Sequence, residues 1–149
     1  MAEITDLISY QVHTVANLLS RGAELRYRRE FGVSLWEWRT VALLGAVEPQ
    51  SLVHLARAAG IDKGQMSRVV SGLAKRKLVQ RAANDADARG VHLRLSRSGR
   101  KLYAGLIGAA AERDALFRNC LSRNEKDVFE KALSKLAGRA RELIRQERE

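Results

Sequence analysis

The chain has 149 residues, of which 46% are hydrophobic and 30% charged, enough for one domain with a real core. Aromatic residues make up only 5%, too few for the stacking platforms used on single-stranded nucleic acids. A lone cysteine excludes an internal disulfide and suits a reducing cytoplasm, and no apolar stretch approaches the ~20 residues of a membrane span. The N-terminus lacks the basic and apolar regions of a signal peptide, so a cytoplasmic protein is expected. The net charge of +10 is unevenly spread. Residues 49–101 hold twelve Lys/Arg against three Asp, whereas the flanks hold fifteen bases against fourteen acids. A basic middle on a nearly neutral scaffold points to a polyanionic partner.

In chain order, a first helix is expected over about 5–27, where Ile4, Ile8, Val12, Val15 and Leu19 recur at three- and four-residue steps. Leu7, Leu18 and Leu25 widen its stripe beyond what one neighbour needs, and Phe31-Gly32 ends it. Ser34-Leu35-Trp36-Glu37 has the capping-box form and opens a second helix. Trp38, Val41, Ala42 and Leu44 continue that helix, and Pro49 stops it near Glu48. A short third helix over about 51–59 carries Leu52, Leu55 and Ala56, with Gly60 just past its end. Asp62-Lys63-Gly64-Gln65 is a second box and starts a fourth helix. Two helices joined by a tight glycine-containing turn form a helix–turn–helix.

The fourth helix has two faces. Met66, Val69, Val70 and Leu73 fall in one sector; Gly64, Arg68, Ser71 and Lys75 fall opposite, flanked by Ser67, Gln65 and Gly72. No acid follows Asp62 on it, unlike an ordinary solvated helix. Residues 78–81 read as a short strand and 82–90 as a polar tip. Val91, Leu93 and Leu95 then alternate with His92, Arg94 and Ser96, which makes a hairpin wing. Ser96 or Ser98 caps a fifth helix to about Leu121, whose run Gly105, Gly108, Ala109, Ala110, Ala111 invites close approach by another helix. Ser122-Arg123-Asn124-Glu125 is a third box, opening a last helix with Leu133, Leu136, Ala140, Leu143 and Ile144 as its stripe.

The expected fold is mainly α with a small β-wing. It is a single domain over 1–149, with a winged helix–turn–helix over 32–97 flanked by dimerisation helices over 1–31 and 98–149. The stripes of the outer helices exceed what the central module can cover, so a two-fold homodimer is expected, the alternative being a monomer with these helices folded back. Two recognition helices would then meet half-sites about one helical turn apart on a pseudo-palindromic duplex, roughly 10 bp.

The run Ile61-Asp62-Lys63-Gly64-Gln65-Met66-Ser67-Arg68-Val69-Val70, continued by Leu73-Ala74-Lys75-Arg76-Lys77-Leu78-Val79, resembles the recognition helix of MarR-type (multiple antibiotic resistance regulator) winged-helix repressors. Asp87-Ala88-Arg89, followed by Val91, Leu93 and Leu95-Ser96, is similar to that family's D-x-R wing motif. Trp38-Arg39-Thr40-Val41 sits where the family often has a Trp-Arg pair, and the helix order matches along nearly the whole chain. The resemblance implies an obligate dimer and a regulator of transcription, usually a repressor of a nearby operon released by a small phenolic or other effector.

On double-stranded DNA, Arg68 is placed to reach guanine, Gln65 to pair adenine, and Ser67 and Ser71 to serve bases or phosphates. Gly64 permits close backbone approach, Lys63 meets phosphate at the helix N-terminus, and Lys75 and Arg76 lie beside the backbone. Arg89 is expected in the narrow minor groove, braced by Asp87. In the resembled family an effector pocket lies between the dimer helices and the winged module. Tyr10, His13, Trp36, Trp38 and Arg39 are the candidates to line it, around an aromatic carboxylate or larger anion, although tryptophans are more often core residues.

Other chemistries find little support. No nucleophile elbow, Walker sequence or H-E-x-x-H is present, so no enzyme is expected. His13, His54 and His92 lie on three different elements, so neither a metal nor another cofactor is expected. Cys120 is expected at a helix–helix seam as apolar filler. Two other readings fit the same charge pattern: a constitutive architectural DNA binder, and a winged-helix module that binds an acidic protein.

Overall fold

The computed structural model describes residues 3–82 and 92–148. A single 3-10 turn (Ile4–Asp6) leads into α1 (Ile8–Phe31) and α2 (Leu35–Ala46). Then come β1 (Gln50–Ser51), α3 (Leu52–Ala59), α4 (Lys63–Lys75), β2 (Val79–Arg81), β3 (His92–Leu95), α5 (Arg97–Asn119) and α6 (Arg123–Gln146). The sheet is antiparallel in the order β1-β3-β2. The fold is mainly α with a small winged sheet, as expected.

Helix ends follow local chemistry. Ser34 Oγ accepts from the Glu37 N–H at 3.2 Å while Glu37 Oε2 accepts from the Ser34 N–H at 2.8 Å. Ser122 and Glu125 repeat the exchange at 3.3 and 2.7 Å. At α4 only one half of the expected box forms, with Asp62 Oδ1 accepting from the Gln65 N–H at 2.8 Å. Gly32 (φ 64°) and Gly60 (φ 72°) end α1 and α3 in the left-handed conformation that glycine adopts without steric cost.

The first apolar stripe is not one helix. Leu7 is extended (φ −71°, ψ 130°) and separates the 3-10 turn from α1. α1 runs on to Phe31 rather than stopping at Tyr27, because Gly32 supplies the stop and the end of the stripe does not. α2 ends at Ala46, short of Glu48, where the Gln50 amide donates to the carbonyls of Leu43 (2.7 Å) and Val47. Gln50 is only 6% exposed. It also belongs to β1, a strand not expected from the sequence, whose residues pair Gln50 with Leu93 and Ser51 with His92.

The core lies between α2, α3, α4, the sheet and the front of α5. Val33, Val41, Leu44, Leu55, Met66, Leu73, Leu95 and Leu106 are inaccessible or nearly so. Each such aliphatic side chain contributes about 1.5–3 kcal/mol by leaving water. Ser96 is the α5 cap, accepting from the Gly99 N–H at 3.0 Å, while Ser98 Oγ instead donates to the Lys77 carbonyl at 2.8 Å. A Cβ on Gly99 would stand 2.0 Å from the Leu78 carbonyl oxygen, so only glycine fits. The small-residue run on α5 receives α1. A Cβ on Gly105 would meet Phe31 at 2.8 Å, and Arg26 Nη1 donates to the Ala109 carbonyl at 3.2 Å.

The described chain forms two compact units divided between Ala110 and Ala111, inside α5 rather than at its start. In the second unit, Arg118 joins Asp114 (2.6 Å) and Glu130 (3.0 Å) and so ties the end of α5 to α6. Cys120 is exposed, which corrects the expected buried seam. It falls in the turn after Asn119, and its thiol donates to the Phe117 carbonyl at 2.9 Å.

Candidate nucleic-acid interface

The sequence of α4 decides which of its sides faces out. Met66, Val70 and Leu73 turn into the core, and Thr40 of α2 donates from Oγ1 to Trp36 O (2.8 Å) and Met66 Sδ (3.5 Å) beneath them. That burial leaves Lys63, Gly64, Ser67, Arg68, Ser71 and Lys75 exposed and Gln65 half-buried. No acid pairs with Lys63, Arg68 or Lys75 among the described residues. From Gly64 to Lys75 the face extends about 16 Å at 1.5 Å per residue, a length that suits a duplex major groove roughly 12 Å wide.

A cleft of about 280 Å³ runs between this helix and the sheet. Leu52, Val70 and Leu93 form its floor; Ser67, Ser71, Gln80 and Arg81 stand on its rim. Gln80 and Arg81 were read from sequence only as strand residues. The signal was available: Arg81 is a cation on a strand next to the helix, with no acid partner among the described residues. Asp87 and Arg89 lie outside the described residues. β2 and β3 pair Val79 with Leu95, Gln80 with Arg94 and Arg81 with Leu93.

Arg76, at the end of α4, differs from the other cations. Its Nη1 donates to Glu37 Oε1 at 3.1 Å. Glu48, also missed as a functional residue, accepts from the Leu95 N–H at 2.9 Å and pairs with Arg100, tying the sheet to the start of α5.

The five effector candidates separate into groups. The Arg39 guanidinium lies 4.9 Å from the Trp36 ring centroid and donates to Ser20 Oγ at 3.3 Å. Trp38 packs on the core, 5.1 Å from the Tyr27 ring. Tyr10 and His13 precede Ser20 on α1 by ten and seven residues, about 15 and 10 Å along the axis. His13 is exposed and hydrogen-bonds Asn17 at 2.9 Å.

Glu30, Arg118 and Glu125, whose titration is shifted, sit on α1, α5 and α6. Arg26, then Arg29, holds the Glu30 carboxyl below its ordinary value. Asp114, then Glu130, raises Arg118. No group of three His, Cys, Asp or Glu that could hold a metal occurs among the described residues. No described helix is long and apolar enough to cross a membrane.

The sequence model of the MarR family matches residues 31–90. No curated protein matches the chain. Among solved structures, a MarR/EmrR family transcriptional regulator from Acinetobacter sp. ADP1 is similar with a TM-score of 0.86 at 26% identity, over 95% of this chain and 99% of that one. The S. aureus MepR–DNA complex superposes with a TM-score of 0.81 at 20% identity, covering 90% and 98% of the two chains. Streptococcus pneumoniae FabT in complex with DNA gives 0.77 at 19% identity, over 91% and 96%. The last two share the fold.

Proposed function

We propose that the chain, whose residues 31–90 match the MarR family model and whose fold is similar to that of a MarR/EmrR family regulator, acts as a sequence-specific transcriptional regulator, binding a pseudo-palindromic duplex as a homodimer and repressing a nearby operon until a small aromatic or anionic effector releases it. The observation that carries this reading is the outward side of α4, where Lys63, Arg68 and Lys75, without an acid partner among the described residues, stand among hydroxyls and small residues. Two solved structures of the same fold are complexes with DNA. Arg68 reads guanine, Gln65 reads adenine, and Ser67 and Ser71 contact bases or phosphates. Lys63 and Lys75 bind phosphates, Gly64 lets the backbone approach, and Arg81 holds the strand that passes the cleft. Arg89 enters the minor groove with Asp87 bracing it. The exposed stripes of α1 and α6 pair with a second copy. Trp36 and Arg39 form the polar-aromatic part of the effector site, with Trp38, Tyr10 and His13 on its approaches.

Selection of bound sites from random duplexes, repeated with aromatic carboxylates present, tests this reading. An inverted repeat bound at least ~10³-fold over random duplex is expected. Equal binding of all duplexes would leave an architectural binder, and no duplex binding at all would leave a protein-interaction module. In Arg68→Ala, discrimination at one base pair of each half-site should fall by about 1–3 kcal/mol while the dimer persists. An unchanged base preference in that variant removes Arg68 from the recognition role.

A further inference from the structure

The Glu37 carboxylate is shared between two helices. Oε2 accepts from the Ser34 N–H at the start of α2, and Oε1 accepts from Arg76 at the end of α4, 39 positions along the chain. The Glu37 side chain is 20% exposed and that of Arg76 40%. The carboxylate lies over Gly72, where a Cβ would stand 3.9 Å from Oε1. One turn further along α2, Thr40 meets Met66, so the ion pair is the outer end of a seam that continues into the core. Lys63, Arg68 and Lys75, on the same helix as Arg76's neighbours, have no such partner among the described residues.

We propose that Arg76 is a positioning residue and not a phosphate ligand: with Glu37 it pins the C-terminal end of the recognition helix to α2 and so fixes the angle at which Gln65 and Arg68 meet the bases. This inference rests on the DNA-binding reading above. Each phosphate neutralised by a free cation releases counterions and steepens the salt dependence of binding by about 0.9. A guanidinium already matched by a carboxylate adds nothing to that slope. Glu37→Gln keeps an amide oxygen to accept from the Ser34 N–H, so the helix cap survives, but it leaves Arg76 with an unmatched charge beside the duplex.

Two measurements on the full-length dimer test the pair. In the first, log Kobs against log salt is recorded on the selected duplex, with Lys75→Ala as the reference for a lost phosphate contact, expected to flatten the slope by about 0.9. Arg76→Ala should keep the parent slope yet lower the ratio of specific to non-specific binding by about two- to fivefold, the scale of a partly exposed ion pair. Glu37→Gln should steepen the slope by up to about 0.9, and the double variant should return to the parent slope. In the second, made without DNA, amide exchange is followed at the Arg76 N–H, which bonds the Gly72 carbonyl at 3.2 Å. Either single variant should speed it several-fold, and the double variant should be no faster than the singles, because paired residues do not add. A slope that flattens in Arg76→Ala as it does in Lys75→Ala, or exchange effects that add, overturns the proposal. If Lys75→Ala and Arg68→Ala leave DNA binding untouched, the recognition-helix reading fails instead, and the exchange experiment still decides whether the tether exists.

Discussion

The winged core and the outer helices differ in where their apolar side chains go. In the core, Leu44, Leu55, Met66, Leu73 and Leu95 come from separate elements and close on one another with no surface left to water. Along α1, Leu18 stays 67% exposed, and Ile8, Val12, Val15 and Leu25 are open as well. In the second unit Leu116 is 70% exposed and α6 buries no residue at all. Leu121, Val128, Phe129 and Ala132 surround an apolar hollow of about 480 Å³ there. The core therefore has its folding free energy within the chain, whereas the outer helices carry apolar surface that only another surface can dehydrate. The difference separates what one chain does alone from what the proposed pair of chains completes.

The largest break in that contrast comes from charging α6. Leu133→Asp with Leu136→Asp should yield a monomer in sedimentation equilibrium and weaken operator binding by about 10² or more, because the second half-site is no longer tethered. A double variant that remains dimeric would place the interface elsewhere. Next, Leu44→Ala should cost about 2–5 kcal/mol in urea unfolding whatever the protein concentration. Leu18→Ala, at a position open to water, should lose stability in a concentration-dependent way, since its burial belongs to the assembly. A smaller effect is expected at Lys77, a non-glycine residue held at φ 58° where α4 gives way to β2. Lys77→Gly should stabilise the core by less than about 1 kcal/mol, because relief of left-handed strain slightly exceeds glycine's extra entropy.

The smallest effect sharpens the comparison from the acid side. The Ser122 N–H, then its hydroxyl, holds the Glu125 carboxyl below its ordinary 4.5, and Arg26 does the same for Glu30. A carboxyl whose folded value is depressed stabilises the fold above its unfolded value and loses that contribution as pH falls through the folded one. Amide exchange at the first turn of α6 should therefore quicken below about pH 4.5 before the core responds. Simultaneous loss in both regions would mean that they unfold as one.

Features set by neighbours in sequence were legible. The Ser34 and Ser122 boxes, the glycine stops at Gly32 and Gly60, and the two faces of α4 each need only a few adjacent residues. Features that join distant positions were not. β1 has two residues, too few for any alternation, and exists through its pairing with β3. The partners of Glu37 and Glu48 lie 39 and 47 positions away, so a carboxylate that organises the site looked in sequence like an ordinary cap or a helix-end charge. Cys120 was misplaced because a general burial tendency was applied to a residue just beyond a helix end. At the interface, the exposed cation Arg68 was legible from the absence of acids along α4 and Arg81 from its place on the strand beside that helix, whereas Gln80 became a candidate only through the cleft.

The contact between Gly99 and the Leu78 carbonyl leaves room for a hydrogen atom and nothing larger. Beside it, the hydroxyls of Ser96 and Ser98 both clasp the carbonyl of Lys77. The long fifth helix and the root of the hairpin are thus geared together without backlash. Any side chain at position 99 would have to prise the two apart at Leu78, one residue before β2 begins.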